Sequence, residues 1–135
     1  MPGTSTPIRP TRTRPGRIHE VEIGGTAVQV TINELPDGRP GEVFISGGKQ
    51  GSTFAGMCET VAIVASLALQ HQVPIDELSR RLANLRFEPS GATGDPEIPE
   101  ATSLSDYLAR RLAHDYLAVE SPAALRAAAT PALDA

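Results

Sequence analysis

The sequence predicts an α+β fold in which a three-stranded antiparallel β-meander packs against a long central helix with two further helices. Three short runs with alternating apolar residues come first. A glycine-rich turn follows them, and after it a long run has apolar residues at helical spacing. Strands joined by short turns usually pair as antiparallel neighbours, and a helix covers their apolar face. A chain of 135 residues is most economically one domain with loose ends.

The charge, the cysteine content and the apolar runs of the sequence exclude several classes of protein. The net charge of −4 argues against general nucleic-acid binding. The single cysteine, Cys58, excludes an internal disulfide framework and a cysteine-built zinc site. The N-terminal residues lack the apolar core of a secretory signal. The apolar run at residues 61–69 is shorter than the roughly 20 residues that span a bilayer. We therefore expect a cytoplasmic protein.

The three strand predictions depend on alternation and on the turns between the runs. Residues 17–23 and 26–35 flank Gly24 and Gly25, a two-residue link typical of a hairpin. A turn at residues 36–41 leads to the third run, residues 42–46. The residues predicted to share the apolar face are Val28, Val30, Ile32, Val43 and Ile45. Phe44 falls on the opposite face.

The central helix is predicted to begin at Ser52 or Thr53, whose hydroxyl can cap free N–H groups, and to end before Pro74. Because residues 61–69 are apolar nearly all round, we expect this helix to be buried. Gly56 within it costs about 1 kcal/mol relative to alanine. Close approach of a neighbouring backbone is the expected compensation.

Two shorter helices and a loop complete the predicted domain. Pro74 suits the first turn of a helix whose apolar stripe is Ile75, Leu78, Leu82 and Leu85. Residues 86–101 are predicted to be a loop without regular structure, and loops of this length are often functional. Thr102 or Ser103 then caps a last helix with Leu104, Leu108, Leu112 and Tyr116 along one side.

These elements define three regions. Residues 1–16 are expected to form a flexible basic arm, residues 17–118 a single domain, and residues 119–135 a tail rich in alanine and proline. The arm carries Arg9, Arg12 and Arg14, followed by Arg17. It could clamp nucleic-acid phosphates, but no aromatic residue is interleaved for base stacking. A solvated linker is the plainer interpretation.

Four segments carry a resemblance to a known family. They are GEVFISGGKQGSTFAGM, SLALQHQVPIDEL, LRFEPSGATGDPEI and ATSLSDYLARRLAHDYL, in this order. They resemble the region that follows the catalytic barrel of adenosylcobalamin-dependent (class II) ribonucleotide reductases, known as the TSCPD domain. RPTRTRPGR resembles the basic linker that precedes this region. The likeness covers roughly residues 9–117.

The resemblance implies an accessory domain. In the family this domain also occurs as a free-standing small protein. The resemblance does not imply that this chain carries out ribonucleotide reduction. The family's catalysis needs a ten-stranded barrel, a radical-forming cysteine, a reducing cysteine pair and a corrinoid site. This chain has one cysteine, lacks the cysteine cluster that commonly follows the domain, and has no room for a barrel. We therefore expect no catalytic residues, no metal, no cofactor and no enzymatic activity of the chain alone.

The best candidate site is the glycine turn before the central helix. It comprises Gly47, Gly48, Lys49, Gln50, Gly51, Ser52 and Thr53. A strand, a glycine turn and a helix start direct N–H groups and the positive end of the helix dipole to one place, where a phosphate can bind. The order of residues is not the P-loop pattern, so no nucleotide hydrolysis follows. Alternatively, the glycines only permit a tight turn.

Other candidates are weaker. Arg86 would strengthen the anion site if the chain brought it near Lys49, although a cation at a helix end has a structural use. Cys58 is expected to be a small core residue. His19, His71 and His114 match no zinc spacing and are expected at the surface or at helix ends. The acidic residues Asp95, Glu97 and Glu100 are expected to form a solvated loop.

The function predicted from these features is a non-catalytic module that docks on a larger enzyme, either a class II reductase or another enzyme that has recruited it, with an anion at the glycine turn. A nucleotide- or nucleic-acid-binding regulator is the alternative. An enzyme in its own right ranks last, because no nucleophile–base pair is visible.

Overall fold

The computed structural model describes residues 6–119 of the chain. Its first three strands are β1 Gly16–Ile23, β2 Thr26–Glu34 and β3 Pro40–Gly47. The helices are α1 Thr53–Gln70, α2 Ile75–Leu82 and α3 Leu104–Tyr116, and the strands β4 Gly91–Ala92 and β5 Glu100–Ala101 lie between α2 and α3. The α+β fold class with an antiparallel meander, one long helix and two further helices is confirmed.

The sheet has the order β1-β2-β3, with antiparallel pairing throughout. The hairpin turn at Gly24 and Gly25 has φ values of 57° and 87°, which glycine adopts without strain. The apolar face is the predicted one: Val28, Val30, Ile32, Val43 and Ile45 are all buried. The other face, here called the outer face, carries Ile18, Thr31 and Phe44 as cross-strand neighbours in one row.

Helix α1 lies along the free edge of β3. Ser66 Oγ contacts both the N–H and the carbonyl of Val43, and Gln70 Nε2 donates to the Gly41 carbonyl at 3.0 Å. These bonds satisfy backbone groups of β3 that face away from β2, as an edge strand requires. The helix therefore occupies the place that a fourth strand would take, and it does not lie flat across the apolar face.

The expectation that α1 is buried all round is wrong. Only one side is buried, through Cys58, Ala62, Ala65, Leu69 and Gln70. On the opposite side Ile63, Val64 and Leu67 are 53%, 58% and 52% exposed. By length and composition alone α1 could also cross a membrane, a test that the core helix of a water-soluble domain passes equally well. Within residues 6–119 no neighbouring backbone compensates for Gly56, since a Cβ added there would meet nothing within 4 Å.

Helices α2 and α3 pack against each other, and Ile75, Leu104 and Leu108 contribute to the core. The expectation that residues 86–101 lack regular structure is wrong in one respect, because β4 and β5 form a short antiparallel ladder. The ladder is held to β1, where Glu22 N–H donates to the Thr93 carbonyl at 3.0 Å. Asp106 at the start of α3 accepts the N–H groups of Asn84 and Thr102. The loop is thus an integral part of the domain.

The described part of the predicted arm runs along the domain. Ile8 N–H donates to the Gln70 carbonyl at 2.8 Å, and the Pro15 carbonyl accepts Glu34 N–H at 2.9 Å. Between them Arg14 binds Glu42 at 2.6 Å. Flexibility of residues 1–16 stays a prediction, although from Ile8 onward the chain makes these contacts. Of the predicted tail, residues 120–135 lie outside the described residues.

Candidate functional site

The glycine turn before α1 has the geometry that the sequence predicts. Gly48 and Gly51 adopt φ values of 70° and 85°, which side chains disfavour. Ser52 is the N-cap of α1, and its Oγ accepts the Ala55 N–H at 3.1 Å. A side chain at Gly48 would also approach the Phe54 ring to 3.0 Å. The glycines therefore have a structural use at this strand-to-helix turn whether or not a ligand binds.

Charge at the turn is compatible with an anion. The first turn of α1 contains no acidic residue. Lys49 is exposed and makes no ion pair among the described residues. One amide of the helix start, that of Ala55, is already used by the Ser52 cap. An anion would therefore have the neighbouring free amides, the helix dipole and Lys49 as partners.

Arg86 lies in a different part of the domain from this turn. It is an exposed residue after α2, and the next residue, Phe87, donates its N–H to the Thr102 carbonyl beside the start of α3. Two clefts border the glycine turn, and Arg86 lines neither of them. The sequence left open whether Arg86 lies beside Lys49. The positions of the two residues give this arrangement no support.

The two clefts meet at Gly47 and Gly48. The first has a volume of about 760 Å³ and lies between the outer face of β3 and α1. Phe44, Ile63 and Leu67 supply much of its apolar lining. The second, of about 1160 Å³, lies between the β1–β2 hairpin and residues 92–94, and its charged lining residues are Glu20 and Glu22. These carboxylates disfavour an anion in the second cleft.

An apolar band crosses the outer face into the first cleft. It comprises Ile18, Thr31, Phe44, Ile63 and Leu67, and we call it the outer band. The Ile18 and Phe44 side chains are 63% and 53% exposed although they lie on paired strands. Single exposed apolar residues are normal on a protein surface, but apolar residues gathered beside a cleft are typical of interaction sites. The outer band is therefore a candidate binding surface.

A buried ionic cluster joins α3 to the loop before it. Arg111 is 2% exposed, and its guanidinium contacts three carboxylates. The contacts are Asp95 at 2.7 Å, Glu97 at 2.5 Å and Asp115 at 2.9 Å. Tyr107 OH donates to Asp95 at 2.7 Å. The expectation that Asp95 and Glu97 belong to a solvated loop is wrong for Asp95, which is 9% exposed, and Glu97 is held by the same arginine.

The protonation states in this cluster are fixed by mutual pairing. Burial alone would raise the pKa of Asp95, but the hydrogen bond from Tyr107 and the charge of Arg111 outweigh it and lower that pKa. Burial likewise opposes the ionised form of Asp115, and the bonds from Arg111 and His114 lower its pKa. Burial would lower the pKa of Arg111, yet Asp115 and Glu97 raise it. Asp95, Asp115 and Arg111 thus stay ionised at neutral pH.

Two histidines border the cluster. His19 is only 16% exposed at its side chain and lies 3.6 Å from Asp115, so the expected surface position is wrong for this residue. Burial and the charge of Arg111 lower the pKa of His19. His114, with Glu97 and Asp115, offers ligand atoms within 4.8 Å of one another, a spacing that a metal ion could use. Arg111 already binds both of those carboxylates, however, and its charge opposes a cation there.

Cys58 is 0% exposed on the buried side of α1, as expected for a small core residue. Burial raises the pKa of its thiol, which keeps it protonated at neutral pH. A nucleophilic or redox-active cysteine needs a thiolate and access. Cys58 has neither property.

Comparison with known proteins confirms the resemblance drawn from the sequence. A family model for the TSCPD domain matches residues 4–116. The chain is 44% identical over 112 residues to a vitamin B12-dependent ribonucleotide reductase of Streptantibioticus cattleyicolor, which covers 83% of this chain and 19% of that protein. It is 37% identical over 120 residues to the reductase of the same name from Rhodopirellula baltica, covering 87% of this chain and 12% of that protein.

The match to a third relative, from Agrobacterium fabrum, is 40% identical over 105 residues and covers 8% of that reductase. The chain therefore spans less than a fifth of the length of these relatives. No solved structure matches the chain.

Proposed function

The chain belongs to the TSCPD domain family, and from this premise we propose that it is a non-catalytic accessory module that docks on a larger enzyme. The larger enzyme is an adenosylcobalamin-dependent ribonucleotide reductase or another enzyme that has recruited the domain. In this role the module supplies a binding surface, and the partner enzyme catalyses the reaction.

One observation carries the proposal: the match covers most of this chain but only 8% to 19% of its reductase relatives. In those proteins the corresponding region is part of one polypeptide with a much longer remainder. A domain that is joined to the rest of an enzyme in one polypeptide can evolve a stable interface with it. The exposed outer band supports this, because it provides apolar surface for a contact of that kind.

Two described hydroxyls donate to a carboxylate, Tyr107 to Asp95 and Tyr116 to Glu34, but burial raises the pKa of both and keeps them protonated. Cys58 is buried with a raised thiol pKa. The carboxylates of Asp95, Glu97 and Asp115 are all paired with Arg111. Nucleophilic catalysis requires an activated, accessible group within hydrogen-bond reach of a base. The arrangement supports a binding role in preference to a catalytic one.

Co-purification tests the proposal. The chain, tagged at one end and expressed at its native level in the source organism, is recovered under mild conditions, and its companions are identified by mass spectrometry. The expected result is a larger enzyme in stoichiometric amount. Recovery of the chain alone, or only with copies of itself, would count against the proposal.

We further propose that the glycine turn binds an anionic group through Lys49 and the start of α1. What supports it is the exposed lysine, which makes no ion pair within residues 6–119, and the absence of acidic residues from the first helical turn. A phosphate of a nucleotide or a carboxylate of the partner has the required charge. Substitution of Lys49 distinguishes this role from that of the apolar surface, because it removes the charge and leaves the outer band intact.

A further inference from the structure

The outward side of α1 carries a stripe of residues that no described residue covers. Gly56, Thr60, Ile63 and Leu67 follow one another at intervals of four, three and four positions, and this spacing places them on one side of a helix. All four are exposed. We call them the α1 stripe. Ile63 and Leu67 belong at the same time to the outer band and line the first cleft, whereas Gly56 and Thr60 lie beside the cleft on the same helix.

No contact within the described part of the domain explains why residue 56 of the stripe is a glycine. Glycine in a helix interior destabilises the helix relative to alanine. A Cβ at this position would meet nothing within 4 Å, so no neighbour in the described residues requires its absence. The distance between two packed helices depends on the side chains at their contact, and a glycine there lets the second backbone come closer. A helix that crosses α1 at Gly56 would account for the glycine.

Charge indicates which kind of helix would fit. The charged residues that line the first cleft are Glu42 and Glu59, both acidic. Glu42 is already bound by Arg14 and Asn33. Glu59 is exposed and makes no ion pair among the described residues. A second copy of this chain is itself acidic, with a net charge of −4, whereas a lysine or arginine would complement Glu59.

We infer that the α1 stripe, together with Phe44, binds an amphipathic helix of the larger enzyme, with the backbone of that helix crossing at Gly56 and a basic residue beside Glu59. This inference rests on the proposed function, because it names the surface through which the module docks. The mode is that of a helix in a groove: apolar side chains of the partner enter the cleft between α1 and the outer face, and charge sets its orientation.

Quantitative capture with surface variants tests the inference. The tagged full chain is compared with Ile63→Ser, Leu67→Ser and Gly56→Ala variants, and the amount of the co-purifying enzyme is measured for each. Leu85→Ser is the matched control, since Leu85 is an exposed apolar residue after α2 that lies outside the stripe. We expect the Ile63 and Leu67 variants to retain about a tenth or less of the partner, as central contacts of an interface do. The control should retain all of it.

The Gly56→Ala variant separates docking from folding. Alanine is the better helix former, and its Cβ has open space in the free chain, so the midpoint of thermal unfolding should rise. Capture should nevertheless fall by about tenfold if a backbone packs against this position. A variant with higher stability and undiminished capture would overturn the crossing at Gly56.

A photoreactive residue at position 63 then identifies the occupant. The expected cross-linked peptide belongs to the captured enzyme, has apolar residues at helical spacing and carries lysine or arginine. If the wild type captures no larger enzyme, both this inference and the proposed function fail. If it does, but the stripe variants capture as much as the wild type, or position 63 cross-links to a second copy of this chain, only the inference fails.

Discussion

The hydroxyl of Ser66 accepts the N–H of Val43 at 2.8 Å and donates to the carbonyl of the same residue at 3.1 Å. One side chain of α1 thereby satisfies both backbone groups of Val43 that face away from the sheet. This contact, one helical turn before the bond from Gln70 to Gly41, fixes α1 along the edge of β3. Because the helix lies beside the sheet, its other side stays open, and the outer band is the consequence.

Replacing Ser66 with alanine should destabilise the domain. The substitution leaves the N–H of the buried Val43 without its partner, which costs about 1–3 kcal/mol, less a few tenths gained in helix propensity. Chemical denaturation measures the change. Thr60→Ala, on the exposed side of the same helix, gains the same propensity without losing that bond. Equal unfolding midpoints for the two variants would contradict the role of Ser66.

Replacing Arg111 with methionine should be more damaging. The variant leaves the buried Asp95 without its cation and leaves Asp115 with only the more distant Arg17, at 3.7 Å. Breaking a buried ion pair in this way costs about 3–5 kcal/mol. The control is Arg81→Met, because the pair of Arg81 with Glu77 is exposed and contributes little. Free energies of unfolding from urea titration test this. A loss for Arg111→Met no larger than for the control would contradict the account of the cluster.

Stability should fall in two stages as the pH is lowered. The pKa of His19 is lowered in the folded state by burial, so the unfolded chain binds the proton more readily. Its contribution is therefore present above the unfolded pKa of about 6.5 and is lost as the pH falls through the lower folded value. The pKa values of Asp95 and Asp115 are also lowered, and their contribution is lost below about pH 3.9.

Thermal unfolding between pH 7 and pH 3 measures both stages. A His19→Gln variant should lose most of the dependence between pH 7 and pH 5 and keep the steep loss at lower pH. Identical slopes for the variant and the wild type between pH 7 and pH 5 would show that His19 does not make this contribution.

The thiol of Cys58 should be unreactive in the native chain. It is 0% exposed, and burial raises its pKa, so little thiolate is present at neutral pH. A colorimetric disulfide reagent at neutral pH should label it only on the timescale of unfolding, and at once in denaturant. Stoichiometric labelling of the native chain within minutes would contradict its assignment as a core residue.

Lys49 provides the test of the anion proposal. Inorganic phosphate, dATP and other nucleotides at millimolar concentration should raise the midpoint of thermal unfolding of the wild type, because a ligand that binds only the folded state stabilises it. The Lys49→Met variant should lose this shift, and Arg86→Met, at the exposed residue away from the turn, should keep it. A wild type that none of these ligands stabilises has no such site.

Local pattern was enough to predict the sheet and the start of α1. Alternation in β2 and β3 identified the buried face, and the hydroxyl of Ser52 marked the helix start, because both signals act between residues close in sequence. The burial of α1 was predicted wrongly, since apolar content does not say which neighbours are available. Ser66 and Gln70 were the missed signal: two polar residues four positions apart point to one side of the helix, where they bind β3.

The buried cluster could be predicted only in part. Arg111 and Asp115 stand four positions apart on α3, a spacing that indicates a pair on one helix face. That Asp95 and Glu97 join them depends on how the loop folds back, which no local pattern in residues 86–101 encodes. The position of Arg86 relative to Lys49 was undetermined for the same reason.

The most direct test of the central claim is the native size of the chain in the cell. An extract of the source organism is separated by size-exclusion chromatography without cross-linking, and the 14.2 kDa chain is detected in each fraction with an antibody. A docking module is expected to elute with a complex many times its own mass, in the fractions that contain the partner enzyme. Elution as a monomer or as a dimer of itself would contradict the claim.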